Sequence, residues 1–109
     1  MDFREYQKLA MVTKKPFEDV KDQIIDALLG MSGEVGEIHE DFKKHYSRGK
    51  VIERDDLIKE IGDVLWYLAE MCDAHSIELE ECAVRNIAKL KARHGEAFSG
   101  LGNRTGEGK

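Results

Sequence analysis

Apolar residues recur at three- and four-residue spacing along most of the chain, which is the period of an α-helix with one buried face. The first such segment covers about Asp2 to Thr13 and ends before Pro16, because the residue preceding a proline disfavours helix. The second begins within Asp19–Asp22 and continues to about Tyr46. Its apolar positions follow alternating steps of four and three: Ile24, Leu28, Met31, Val35, Ile38 and Phe42.

Two more helices are predicted after a loop at Ser47–Lys50. The third covers about Arg54 to Ala74 and the fourth about Glu78 to His94, where Gly95 is expected to cap the C-terminal end. The apolar positions expected to face inward on the third helix are Leu57, Ile61, Val64, Leu65, Leu68 and Cys72. Those on the fourth are Leu79, Ala83, Ile87 and Leu90.

Glycine interrupts the second helical pattern at three positions, Gly30, Gly33 and Gly36. Each glycine lowers the stability of a helix interior by about 1 kcal/mol relative to alanine. A helix that keeps three of them indicates close approach by another helix or by a ligand.

Four amphipathic helices with short connections predict an all-α protein, a four-helix bundle in one domain over residues 1–99. Residues 100–109 are rich in glycine and hold one large apolar residue, Leu101, which predicts a flexible tail. The apolar arcs of the second and third helices are too wide for one small bundle to bury. We therefore expect oligomerisation, as a homodimer or a homotetramer, to complete the bundle.

The composition narrows the possible partners. With 17 basic and 22 acidic residues the net charge is -5, which argues against binding a nucleic acid polymer through a basic face. No apolar run approaches the ~18 residues of a membrane span, and Met1–Glu5 lacks the apolar segment of a signal peptide. The two cysteines lie ten positions apart, so a reducing, cytoplasmic location is expected for a soluble protein.

Paired carboxylates mark the two central helices. Glu34-x-x-Glu37 lies on the second and Glu60-x-x-Asp63 on the third, and side chains three apart project to nearly the same side of a helix. By helical angle all four fall between about 60° and 160° from the centre of the apolar arc of their helix. Both pairs therefore border the buried surface, and they are expected to meet at a groove.

Four carboxylates in one groove repel each other unless a cation lies between them. Oxygen ligands that leave room for water suit Mg²⁺, which often bridges to a substrate phosphate. The alternative is a solvated acidic face, since E-x-x-E occurs by chance in many charged helices.

A basic stripe follows on the fourth helix, where Asn86, Lys89 and Arg93 share one side. A guanidinium and an ammonium on one stripe can grip phosphate oxygens. The alternative is a favourable interaction of the two cations with the dipole at the helix C-terminus.

Taken in order, these motifs resemble the MazG-like family of all-α nucleoside triphosphate pyrophosphohydrolases. The pattern is E-x-x-E at Glu34 and Glu37, E-x-x-D at Glu60 and Asp63, then Lys89 and Arg93 four apart. The resemblance covers roughly residues 20–95. It departs at Gly33, where many members have a further acidic residue, and this leaves the number of metal ions and the water-activating residue open.

The resemblance implies an enzyme that cleaves a nucleoside triphosphate between its α and β phosphates, giving a monophosphate and pyrophosphate. It implies that Glu34, Glu37, Glu60 and Asp63 are catalytic ligands of Mg²⁺, with Mn²⁺ as a substitute. The alternative for one of the four is to orient or deprotonate the attacking water in place of binding the metal. Substrate binding is expected from these side chains: Lys59, Asn86, Lys89 and Arg93.

Two other classes of function are weighed beside the enzyme. A helical oligomer that binds a nucleotide or a protein without turnover is supported only by Gly33. A carboxylate metal-storage or redox bundle is disfavoured, because no histidine follows a glutamate at the E-x-x-H spacing. Of the aromatic residues, Tyr67 is expected on the side of Glu60 and Asp63, where a base could stack, and Trp66 on the opposite flank, although core or interface roles are commoner for both.

Overall fold

The structure, a computed structural model, describes residues 1–100, and these contain helices but no strand. The helices are α1 (Phe3–Ala10), α2 (Val20–Arg48), α3 (Arg54–Ala74), α4 (Leu79–Arg93) and α5 (Gly95–Ser99), with a 3₁₀ turn at Met11–Thr13. The all-α prediction is confirmed, and the long helices begin and end within about two residues of their expected limits. The predicted flexible tail, residues 100–109, lies outside the described residues except for Gly100.

The helix ends follow from local sequence. Asp2 and Asp19 cap α1 and α2, since each side chain accepts a hydrogen bond from a first-turn backbone N–H, of Glu5 and Lys21 respectively. Gly49 ends α2 with a φ of 68°, a left-handed conformation that glycine adopts without a steric penalty. Its N–H donates to the carbonyl of His45, so α2 runs two residues beyond the predicted end.

The chain divides into two compact units, of which the first is Met1–Leu79. Within this unit α2 and α3 pack together as an antiparallel pair. Small residues form the contact: Ala27 and Ala69 have no exposed surface, and Gly30 lies beneath the ring of Tyr67. Small residues let two helix backbones approach closely, so this contact excludes water without large side chains.

Polar contacts connect the N-terminal segment to the second half of α3 and to the residues that follow it. Trp66 donates its indole N–H to the carbonyl of Ala10, at 3.1 Å, and to Thr13 Oγ1, at 3.0 Å. The Gln7 amide donates to the Ile77 carbonyl and accepts from the Leu79 N–H. These bonds close a small core in which Tyr6, Met11 and Leu65 pack against this buried cluster: Ala69, Cys72 and Leu79.

The expected inward positions are only partly buried, and this corrects the prediction. Leu28 and Val35 on α2 are each 51% exposed, and Ile61 on α3 is 54% exposed. The reason is that the helices meet through small residues on a neighbouring side, which leaves the large apolar side chains outside. Leu28 and Val35 stand seven apart, as do Ile61 and Leu68, so each helix carries an outward apolar stripe.

The second unit begins at Glu80 and contains most of α4 together with α5. Gly95 does not cap α4 as predicted: His94, with a φ of -131°, breaks the helix, and Gly95 begins α5. The Lys91 ammonium lies 5.8 Å from the Phe98 ring centroid, a cation–π contact that joins the two helices. The single domain expected over residues 1–99 stays a prediction. Every helix within residues 1–100 is too short or too polar to span a bilayer.

Candidate functional site

Four of the sequence-predicted side chains come from the middle of the antiparallel helix pair in the first unit. Glu34 and Glu37 lie on α2, and Glu60 and Asp63 lie on α3. The structure brings these four carboxyls together, and we refer to them below as the acidic cluster. Because α2 and α3 are rigid and in contact, the cluster is held by the fold itself.

The surroundings of Glu34 in the acidic cluster disfavour its charged form. Its pKa is raised, first by burial, then by a side-chain hydrogen bond with Glu37 and by the negative charges of Glu37, Asp63 and Glu60. Its Oε1 atom is shielded from solvent and has no hydrogen-bond partner among residues 1–100. A carboxyl oxygen in this position favours either a proton or a cation.

Glu60 has a partner that the sequence analysis missed. Burial raises its pKa, followed by a hydrogen bond with Asp41 and the charges of Asp41, Glu37 and Asp56. Asp41 follows Glu37 by four positions on α2, so a continuation of the E-x-x-E stripe by one turn would have identified it. The carboxylates thus extend from Glu34 along α2 to the loop between the helices.

An open groove of about 400 Å³ adjoins the acidic cluster and is lined by Glu34, Asp63, Trp66 and Tyr67. The prediction that Trp66 lies on the flank away from the acidic pair was wrong. It follows Asp63 by three positions and lines the same groove, because both lie on the side of α3 opposite Ile61. The Trp66 and Tyr67 rings meet edge to face with centroids 5.1 Å apart.

Tyr67 is fixed in the groove wall by Gly30. A Cβ atom at Gly30 would overlap the Tyr67 ring, so only glycine admits the ring at this distance. Burial raises the pKa of Tyr67, assisted by the charges of these carboxylates: Asp26, Glu34, Glu70 and Asp63. The other two glycines of the pattern, Gly33 and Gly36, have open space where a Cβ would project.

The donor chemistry of the acidic cluster fits a hard cation such as Mg²⁺. All four donors are carboxylates, their charges oppose one another, and the shielded Glu34 oxygen has no partner within residues 1–100. Within the same residues, no group of three or more His, Cys, Asp or Glu side chains already stands in position to hold a metal ion. The acidic cluster therefore fits a metal ion by the type and closeness of its carboxylates, while a ready-made ligand geometry is not present among these residues.

The remaining predicted residues are exposed. Lys59 lies on α3 beside Glu60, in the first unit. Asn86, Lys89 and Arg93 lie on α4 in the second unit, with Lys89 and Arg93 one helical turn apart. Their part in binding a substrate stays a prediction.

Comparison with known proteins identifies relatives of this chain by sequence. Residues 22–98 match the family model described as the MazG nucleotide pyrophosphohydrolase domain. The chain is also similar to the Gene 37 protein of Mycobacterium phage L5, with 38% identity over 69 residues. That stretch covers 60% of this chain and 60% of the phage protein. No solved structure matches the chain.

Proposed function

Because the chain belongs to the MazG nucleotide pyrophosphohydrolase domain family, we propose that it cleaves a nucleoside triphosphate between the α and β phosphates, releasing a monophosphate and pyrophosphate. The observation that carries this proposal is the meeting of Glu34 and Glu37 with Glu60 and Asp63 beside an open groove. Phosphoryl transfer depends mostly on positioning and charge stabilisation, and rigid helices supply the first of these.

The acidic cluster would hold the Mg²⁺ ion, with Mn²⁺ as a substitute. When bound, the ion neutralises phosphate charge and lowers the pKa of a water molecule. Asp41, hydrogen-bonded to Glu60, would keep that carboxyl turned toward the cluster. One carboxylate of the cluster orients the attacking water and accepts its proton.

Cationic side chains would neutralise the rest of the triphosphate. Lys89 and Arg93 stand one turn apart on α4, the spacing at which two cations can contact neighbouring phosphate groups. Asn86 would position the phosphate or the sugar, and Lys59 would add a further contact beside Glu60.

The nucleobase would lie against the aromatic wall of the groove. Trp66 and Tyr67 present ring surfaces next to Glu34 and Asp63, so a base stacked there has its phosphates close to the acidic cluster. The groove volume of about 400 Å³ lies within the ordinary range for small-molecule sites.

The test of the activity is direct. The purified protein is incubated with Mg²⁺ and a panel of canonical and modified nucleoside triphosphates, and the products are identified by phosphorus NMR. We expect a monophosphate and pyrophosphate in equal amounts from at least one substrate. Release of orthophosphate alone would contradict the site of cleavage, and nucleotide binding with no turnover across the panel would identify a binding protein.

We also propose that the protein is a homo-oligomer, a homodimer or homotetramer. The support is the outward apolar stripes of α2 and α3, which expose Leu28 and Ile61 in the single chain. Substituting Leu28 by lysine places a charge on this surface. We expect association to weaken at least about 30-fold, measured by sedimentation equilibrium.

Val12→Lys is the matched control for this substitution. Val12 is 80% exposed in the 3₁₀ turn, away from the outward apolar stripes, and its replacement should leave the mass in solution unchanged. Equal masses for wild type and Leu28→Lys would show that the stripe does not mediate assembly.

A further inference from the structure

A carboxylic acid is the largest fully buried side chain among the described residues. Glu70, on the inner side of α3, has 0% of its surface exposed. As a carboxylate, neither of its oxygens has a hydrogen-bond partner among residues 1–100. Burying a carboxylate without partners is costly, so this group must hold a proton or obtain one from a neighbour.

The neighbour is Asp26 on α2, whose side chain is 32% exposed, and we refer to it and the fully buried Glu70 as the carboxyl pair. Two ionised carboxylates cannot bond to each other, whereas a single proton between them makes a strong hydrogen bond. Burial raises the pKa of Glu70 to about 7, with the charge of Asp26 and a hydrogen bond to it as further causes. The charges of Lys15 and Lys14 act in the opposite direction.

Lysines and one amide complete the surroundings of the pair. Lys15 Nζ lies 3.4 Å from Asp26 Oδ1 and balances one negative charge. Lys14 is engaged elsewhere, since its ammonium bonds to Asp73 at 2.7 Å and Gln23 bonds to the same oxygen at 2.9 Å. The pair and Lys15 therefore carry no net charge while one proton is shared.

The carboxyl pair is in register with the groove. On α2, Asp26, Gly30 and Glu34 follow each other at four-residue spacing, and on α3 the facing residues in reverse order are Glu70, Tyr67 and Asp63. Tyr67, lying on Gly30, separates the pair from the acidic cluster, and the charges of both groups act on its hydroxyl. A change in the distance between Asp26 and Glu70 would therefore also displace the Tyr67 ring from Gly30.

We propose that Glu70 and Asp26 share one proton across the α2–α3 contact and are positioning residues that hold Tyr67 in the wall of the groove. Loss of the proton leaves two negative charges, one of them on the fully buried Glu70, with one lysine to balance them. Repulsion then separates the helices near Gly30 and releases the Tyr67 ring. The positioning claim stands on the fold alone, and its effect on turnover rests on the proposed function.

Trp66 makes this claim measurable without any substrate. It is the only tryptophan in the chain, and its ring meets that of Tyr67 edge to face, so its fluorescence reports on the groove wall. Fluorescence is recorded across neutral pH for wild type, Glu70→Gln and Glu40→Gln. Glu40 is an exposed residue of α2 and serves as the matched control.

We expect a fluorescence transition with a midpoint near pH 7 in wild type and in Glu40→Gln. Glu70→Gln should lack the transition, because the glutamine amide donates to Asp26 at every pH. A transition of the same midpoint and size in Glu70→Gln, or none in wild type, would overturn the proposal.

Asp26→Asn keeps the test decisive if Glu70→Gln does not fold. The asparagine amide donates to ionised Glu70, so the midpoint should move to lower pH. An unchanged midpoint would again overturn the proposal.

The pH dependence of the melting temperature provides a second test, and its direction follows from the raised pKa of Glu70. The pKa of Glu70 is raised on folding, so its contribution to stability is present at acidic pH and is lost as pH rises through about 7. The melting temperature of wild type relative to Glu70→Gln should therefore fall between about pH 4.5, the ordinary value for a glutamate, and about pH 7, and level off above pH 7. A constant difference between the two over that range would contradict the shared proton.

The pH dependence of turnover distinguishes a positioning role of Glu70 from a purely structural one. With an active substrate, we expect the KM of wild type to rise above neutral pH while kcat changes less, and this pH dependence of KM should be absent in Glu70→Gln. Failure of the activity with the fluorescence results intact would reject the proposed function and leave the positioning claim standing.

Discussion

Asparagine in place of Asp63 is expected to lower kcat/KM for triphosphate hydrolysis at least about 100-fold, since even changes to groups behind metal ligands often cost 10–100-fold. Asp63 is near isosteric with asparagine, so the fold should be retained while one negative charge of the acidic cluster is lost. Its charge acts on Glu34, and its side chain lines the groove. Pyrophosphate release under saturating Mg²⁺ is the measurement.

Asp22→Asn is the control for this loss of charge. Asp22 is exposed in the first turn of α2, outside the acidic cluster, and its replacement should leave turnover unchanged. Wild-type rates in Asp63→Asn would remove Asp63 from the catalytic machinery.

Alanine at Gly30 is expected to lower the free energy of unfolding by about 1–3 kcal/mol, the usual range for overpacking a filled site. A new Cβ would overlap the Tyr67 ring, which is held between α2 and Trp66. In a unit of this size, each kcal/mol corresponds to roughly 4–8 °C in Tm, so calorimetry can resolve the change. Displacement of Tyr67 should also weaken nucleotide binding in the groove.

Gly36→Ala provides a control of opposite sign. It lies on the same helix, six residues further along, and nothing approaches the position of its Cβ. Alanine should therefore stabilise the helix by about 0.5–1 kcal/mol through its higher propensity. Equal shifts in both variants would show that the contact with Tyr67 is not what requires glycine at position 30.

The four longer helices, α1 to α4, were predictable because each carries a periodic pattern, and α2 has clear signals at both ends. Asp19 before α2 and Gly49 after it are residue types that commonly cap helices, the first through its side chain and the second through its left-handed backbone, and both do so. The E-x-x-E and E-x-x-D pairs were predictable for the same reason, since spacing within one helix fixes which side chains share a side.

The contact between α2 and α3 was not predictable from periodicity. The largest apolar residues suggested that Ile61 lies at the centre of the buried side, whereas the helices meet through Ala27, Gly30 and Ala69. Glu70 lies about 180° around α3 from Ile61 by helical angle, on the side opposite the apolar stripe, yet it is fully buried. Hydrophobicity ranks residues by size and polarity, and it does not reveal close packing by small ones.

The sequence analysis also missed residues whose effect depends on a partner on the other helix. Asp41 acts on Glu60, and Asp26 acts on Glu70, but the register of two helices is set by their packing and not by either sequence alone. Gly30 gave the one usable signal, since a glycine in the middle of a helix indicated close approach, and the approaching group is Tyr67.

The proposed activity depends on one property of the acidic cluster, the binding of a common cation by Glu34, Glu37, Glu60 and Asp63. Crystals grown with Mn²⁺, with data collected at its absorption edge, test this directly, because the anomalous map locates the ion without reference to any proposed role. We expect a peak between α2 and α3 in contact with carboxylates of the acidic cluster, and loss of that peak in Asp63→Asn. An empty map at the cluster under saturating Mn²⁺, or a peak confined to other residues, would contradict this expectation.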